Sequence, residues 1–235
     1  EEYGFFEMIK YAPHALKIYA DLIAQNDRNF EIKRKFVELL HIYCGGLVEV
    51  GLSKELNHII EYSEKILGHD VDEANSNDVK KTYLALKQEF SIDFLVSSSK
   101  DSFEKSHQLL EGYRLVSSPE IPLMLRFLFK TALYACDYNK WEIAERYINE
   151  AETLMNGREI SCLEERSILG EIYALKGKYL LSTQLKDSKN YAQYSYDKSL
   201  SAYYKAKEIL IAGIQLSPIM FKSQLLDIDR AILRC

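Results

Sequence analysis

Apolar residues recur at spacings of three and four along almost the whole chain, which is the pattern of amphipathic α-helices. One stretch shows it with Phe36, Leu39, Leu40, Tyr43 and Leu47. Strict alternation of apolar and polar residues, the pattern of a half-buried strand, is absent. The pattern therefore predicts an all-α fold of about ten to eleven helices.

The predicted helices end at polar turns and begin near prolines. They cover residues 3–11, 13–25, 29–50, 53–68, 76–98, 101–116, 120–136, 140–156, 160–184, 192–214 and 218–233. The four prolines, at positions 13, 119, 122 and 218, suit the first turn of a helix, because proline has a fixed φ and no N–H to satisfy there. Pro13 is therefore expected to separate two helices.

Paired helices with short turns favour a repeating array, and two neighbouring segments carry the repeat pattern. The first runs from Leu125 to Arg158, 34 residues, with Ala132, Ala144 and Ala151 and with Trp141 after its turn. The second begins at Leu163 and carries Leu169, Gly170, Tyr173 and Gly177. Both segments resemble tetratricopeptide repeats, in which small residues stand where two helices approach closely.

The resemblance implies an α-solenoid of stacked antiparallel helix pairs. It predicts one helical-repeat domain over 1–235, with degenerate repeats in 1–120, clearer repeats in 121–216 and a capping helix in 217–235. The second helix of the last pair comes late, which predicts an inserted loop at Leu185 to Asn190. The chain is expected to be a fragment of a longer protein.

In this family the first helix of each pair lines a concave groove. The matching positions are Arg126, Phe129, Leu133 and Asp137 in the first unit and Glu164, Ser167 and Glu171 in the second, with Cys136, Ala174 and Leu175 beside them. An apolar centre with acidic margins suits a helix or extended peptide of some basic character. The alternative is that Phe129 and Leu133 pack against a neighbouring helix.

Composition and charge narrow the chemistry further. The net charge of −5 comes from acidic and basic residues mixed along the chain, which argues against nucleic-acid binding by this segment. The five histidines and four cysteines show no metal-ligand spacing, and Cys44-Gly45-Gly46 is interpreted as close helix packing. No apolar stretch approaches the roughly 20 residues of a membrane span. We expect an intracellular protein, cytoplasmic or nuclear, without a metal, cofactor or catalytic site.

The leading functional hypothesis is a scaffold or adaptor domain that binds a protein or peptide. The alternative hypothesis is a peptide-sensing regulatory domain, similar to those of bacterial peptide-responsive transcription regulators, whose DNA-binding head lies outside this sequence. The sequence leaves the oligomeric state open.

Overall fold

The computed structural model describes residues 2–26, 28–67, 77–92, 102–116, 118–183 and 189–235, with side chains given for these except 2–8, 53, 77–78, 91–92, 183 and 189–195. Every regular element in this part of the chain is helical, so the predicted all-α class is confirmed there. The chain divides into two compact units, unit 1 (Glu1–Pro119) and unit 2 (Glu120–Cys235).

Unit 1 contains five α-helices and a π-helical segment in its described residues. They are α1 (Glu2–Gln25), α2 (Phe30–Glu49), α3 (Ser53–Leu67), α4 (Asn77–Leu86), the π-helix Lys87–Ile92 and α5 (Ser102–Arg114). Helix α2 packs against α1, α3 and α4. It supplies the centre of the core, where Phe36, Val37, Leu40 and Cys44 are fully buried. Of the predicted helix 76–98, the part beyond Ile92 lies outside the described residues.

The predicted break at Pro13 is wrong, because Pro13 lies inside α1. Buried residues continue on one face of the helix across the proline, at Ala12, Leu16, Ala20 and Ile23. Packing of this continuous face outweighs the one hydrogen bond that proline cannot donate. The proline itself is exposed, on the outer side of the helix.

Unit 2 contains five α-helices in its described residues. They are α6 (Ile121–Asp137), α7 (Trp141–Met155), α8 (Leu163–Thr183), α9 (Lys189–Ile214) and α10 (Pro218–Arg234). The turn between α6 and α7 contains Asn139 at φ 57°, and Lys140 N–H donates to the Ala135 carbonyl over 2.8 Å. Asparagine tolerates this left-handed conformation at a helix end, which explains the tight connection.

Helix α8 is the centre of unit 2, since it packs against α6, α7, α9 and α10. Apolar residues lie around much of its surface, among them the buried Ile168, Leu169, Ile172 and Leu175. A helix with apolar residues all round is typical of a buried position. The predicted insertion at Leu185 to Asn190 lies mostly outside the described residues, and its last two residues already belong to α9.

The seven predicted repeat positions of unit 2 are all buried: Ala132, Ala144, Ala151, Leu169, Gly170, Tyr173 and Gly177. A Cβ at Gly170 would stand 2.6 Å from Leu210 Cγ, and one at Gly177 would stand 2.8 Å from Tyr203 Cε2. Both distances are too short for non-bonded carbon atoms. Glycine at these positions therefore lets α8 and α9 approach closely.

Candidate functional site

The α6 candidates lie on one side of that helix, because Arg126, Phe129, Leu133 and Asp137 are spaced by three and four residues. Arg126, Phe129 and Leu133 are half-buried and Asp137 is exposed. The adjoining candidate Cys136 is instead buried in the core. This side of α6 therefore offers a partly open surface with two apolar side chains at its centre.

The α8 candidates meet those of α6 through an ion pair. Glu164, Ser167 and Glu171 share one side of α8, again at spacings of three and four. Arg126 Nη2 lies 2.5 Å from Glu164 Oε1, with both side chains only partly exposed. The structure thus brings the predicted residues of the two helices together, although Leu175 belongs to the core.

Gln224 of α10 connects the other two α8 candidates, which the sequence analysis did not foresee. Its Nε2 donates to Ser167 Oγ over 2.8 Å and to Glu171 Oε1 over 2.9 Å. Its Oε1 is buried, and no donor among the described residues reaches it. One amide therefore links α10 to α8 and retains a buried acceptor without a partner, a rare arrangement in folded proteins.

Burial raises the pKa of Glu171 above its usual value, because a carboxylate loses hydration there. The hydrogen bond from Gln224 and the charges of Lys130 and Arg126 act in the opposite direction and favour the ionised form. Burial is the larger effect. Glu171 is thus a partly desolvated carboxylate beside two cations and an amide.

We call the residues of this surface the α6–α8–α10 face: Arg126, Phe129, Lys130, Leu133, Asp137, Glu164, Ser167, Glu171 and Gln224. Lys130 and Gln224 were missed in the sequence. Lys130 follows Arg126 by one helical turn, a signal that was available. Gln224 lies on the helix predicted to act only as a cap, and nothing local shows that its amide reaches α8.

A concavity of about 590 Å³ lies elsewhere in unit 2, among α7, α8 and α9. Its lining is mostly polar: Asn149, Glu152, Thr153, Met155, Asn156, Gly157, Tyr173 and Lys205. Its charges already have partners, since Lys176 Nζ lies 2.6 Å from Glu152 Oε2 and Lys205 Nζ lies 4.4 Å from the Tyr173 ring centre. A ligand there would have to displace these contacts.

The buried thiols are poorly suited to chemistry. Burial raises the pKa of Cys44 to about 12 and that of Cys136 to about 11, so the reactive thiolate form is disfavoured. Among the described residues, no three His, Cys, Asp or Glu side chains group together as metal ligands. In the same part of the chain, every helix is too short or too polar to cross a bilayer.

Comparison with known proteins identifies a fold relative only. No family model matches the sequence, and no curated protein matches it. The crystal structure of BtubC (BKLC) from P. vanneervenii is similar to this chain, with a TM-score of 0.54 and 12% sequence identity. The match covers 97% of this chain and 89% of that one. At this identity the likeness concerns the all-helical fold alone.

Proposed function

We propose that unit 2 is a tetratricopeptide-like array that binds a protein segment on the α6–α8–α10 face, without catalysis and without a cofactor. In this proposal α6 pairs antiparallel with α7 and α8 with α9, while α10 packs against α8 and α9 as the capping helix. The buried small residues support it, because Gly170, Gly177 and Ala144 lie where such helices must approach closely. The sequence of unit 1 supports the same architecture only weakly.

The observation that carries the binding role is the polar network on this face. Helices that meet only to form a core bury apolar side chains against each other. Beside their apolar core, these three helices also meet through Arg126 with Glu164 and through Gln224 with Ser167 and Glu171. Polar groups held in place beside half-buried apolar ones are typical of recognition surfaces.

The face also limits the chemistry of its partner. Phe129 and Leu133 provide apolar contact area, and Asp137 is an exposed acid one turn beyond Leu133. The cations Arg126 and Lys130 lie near Glu164 and Glu171, so much of their charge is compensated within the face. The partner segment should therefore carry an apolar anchor and a basic side chain next to it.

The proposal is tested with peptides that are selected for binding to this protein. The full chain would be used to select binders from a random peptide library, and their affinity measured by isothermal titration calorimetry. Phe129→Ala should weaken binding by about 2 kcal/mol or more, roughly 30-fold, because buried aromatic anchors dominate such interfaces.

The matched control is Tyr204→Ala, which removes an aromatic side chain that is 54% exposed on α9. It should leave the affinity nearly unchanged, and circular dichroism should show that both variants are folded. Selected peptides that bind the Phe129→Ala protein with full affinity would place the binding surface elsewhere. That result would refute the proposed site.

A further inference from the structure

Helix α10 is apolar on two opposite faces. Its inner face, with Phe221, Leu225 and Ile228, is buried in a cluster that includes Tyr203 and Leu210. Its outer face carries three large apolar residues that are strongly exposed: Ile219 at 93%, Leu226 at 52% and Leu233 at 86%. Single exposed apolar residues are ordinary, but a stripe of them along one helix indicates an interaction surface.

The three exposed residues form one straight stripe. They are spaced by seven residues, and seven residues fall about 20° short of two helical turns, so all three lie within about 40° of arc. Leu226 and Ile228 are separated by two residues, about 200°, which places the stripe opposite the buried face. The stripe lies about 100° from Leu225 and about 140° from Phe221 around the helix, so it is on the side of α10 away from its buried face.

Charges beside the stripe are complementary to a second, antiparallel copy of the helix. Lys222 and Asp229 lie on the same side of the stripe, four residues before and three residues after Leu226. In an antiparallel pair of α10 helices centred on Leu226, Lys222 comes within one residue, about 1.5 Å along the axis, of Asp229 in the second copy.

The apolar residues agree with the antiparallel arrangement. It sets Ile219 opposite Leu233 of the second copy, and Leu226 opposite Leu226 on the axis. Asp229 Oδ1 already accepts from Lys207 Nζ over 2.6 Å, yet its side chain remains 45% exposed and open to a second cation. The stripe and its charges are thus complementary to a copy of themselves, as a two-fold interface requires.

We propose that two copies of this chain associate through the outer face of α10, antiparallel about a two-fold axis at Leu226. The partner is a second copy of the chain, and the interface lies on the side of α10 opposite its buried face. The inference is independent of the proposed peptide-binding role.

Sedimentation equilibrium on the full chain tests the association. The wild type should show twice the 27.3 kDa of one chain. Leu226→Glu sets two carboxylates against each other on the axis and should give a monomer with an unchanged circular dichroism spectrum. The matched control is Ile211→Glu, since Ile211 is 49% exposed on α9, off the stripe, and this variant should remain a dimer.

Crosslinking tests the orientation, in a chain whose Cys162 and Cys235 are replaced by serine. With a short bis-maleimide reagent, Leu226→Cys should crosslink to itself. Ile219→Cys and Leu233→Cys should each fail alone and should crosslink when mixed. Lys222→Glu should weaken association severalfold, and adding Asp229→Lys should restore it.

Three results would overturn the proposal. The first is a monomeric wild type at every concentration reached, and the second is a dimer that survives Leu226→Glu. The third is crosslinking of all three single cysteine variants, which would mean parallel helices.

Discussion

The two units of this chain use their small and polar residues in different ways. In unit 1 a Cβ at Gly45 of α2 would meet no atom within 4 Å, whereas in unit 2 Gly170 lies against Leu210. The buried hydroxyls of Ser63 and Tyr83 in unit 1 bond to each other, 2.9 Å apart, inside the core. In unit 2 a group of polar side chains around Gln224 and Arg126 joins three helices along one surface.

The difference between a core pair and a surface network helps to separate structural polar contacts from candidates for binding. In a buried pair such as Ser63 and Tyr83, each hydroxyl has a hydrogen-bond partner, so a role in folding accounts for both residues. The network around Gln224 contains a half-buried carboxylate, that of Glu171, whose pKa is raised by burial. Perturbed groups on a partly open surface are the better candidates for recognition.

The largest expected difference between the units is the response of their glycines to alanine. Gly170→Ala should destabilise unit 2 by about 1 to 3 kcal/mol, because its Cβ would overlap the fully buried Leu210. Gly45→Ala should stabilise unit 1 by up to about 1 kcal/mol, because it adds helix propensity where space is open.

Urea unfolding measures both effects. The single tryptophan, Trp141, belongs to unit 2, so its fluorescence follows that unit, while circular dichroism follows the whole chain. An unchanged or raised midpoint for Gly170→Ala would mean that Leu210 moves aside freely. The close contact between α8 and α9 would then have no energetic importance.

A smaller effect is expected on the pH dependence of stability, to which Glu171 contributes. Its pKa is raised in the folded protein, so its contribution to stability is fully present below the unfolded pKa and is lost as pH rises through the folded pKa. Glu171→Gln keeps an acceptor for Gln224 and removes the charge. The stability of the variant relative to wild type should therefore increase from about pH 4 to about pH 7.

Thermal melts of the two proteins across that range provide the measurement. Glu31 of unit 1 is the matched control, since the hydrogen bond from Arg34 lowers its pKa instead. Glu31→Gln should show no gain toward neutral pH. A Glu171→Gln variant that loses relative stability as pH rises would mean that Arg126 and Lys130 outweigh burial.

Local patterns predicted much of unit 2 but not its non-local contacts. The all-α class follows from periodicity within a few turns of chain, and the buried positions Ala144 and Gly170 were predicted from the resemblance to tetratricopeptide repeats. The predicted helix break at Pro13 was wrong, because packing of the continuous buried face of α1 outweighs the local effect of proline. Gln224 was missed since its role depends on where α10 docks relative to α8.

The outer stripe of α10 is a further feature that the sequence analysis did not predict. Its seven-residue spacing is visible in the sequence, but the helix was interpreted as a cap. Capping helices commonly have a polar outer face, whereas Ile219 and Leu233 are strongly exposed on this one. Which apolar face of α10 is exposed depends on how the helix docks onto unit 2, and local sequence does not determine that.

The central claim is that unit 2, and not unit 1, carries the recognition surface on its α6–α8–α10 face. The most direct measurement is photo-crosslinking of a library-selected peptide to the full chain, with benzoylphenylalanine placed either at Leu133 or at Ile42, which is 55% exposed on α2. The account predicts a crosslinked product from position 133 and none from position 42. Crosslinking from position 42 with none from position 133 would contradict it.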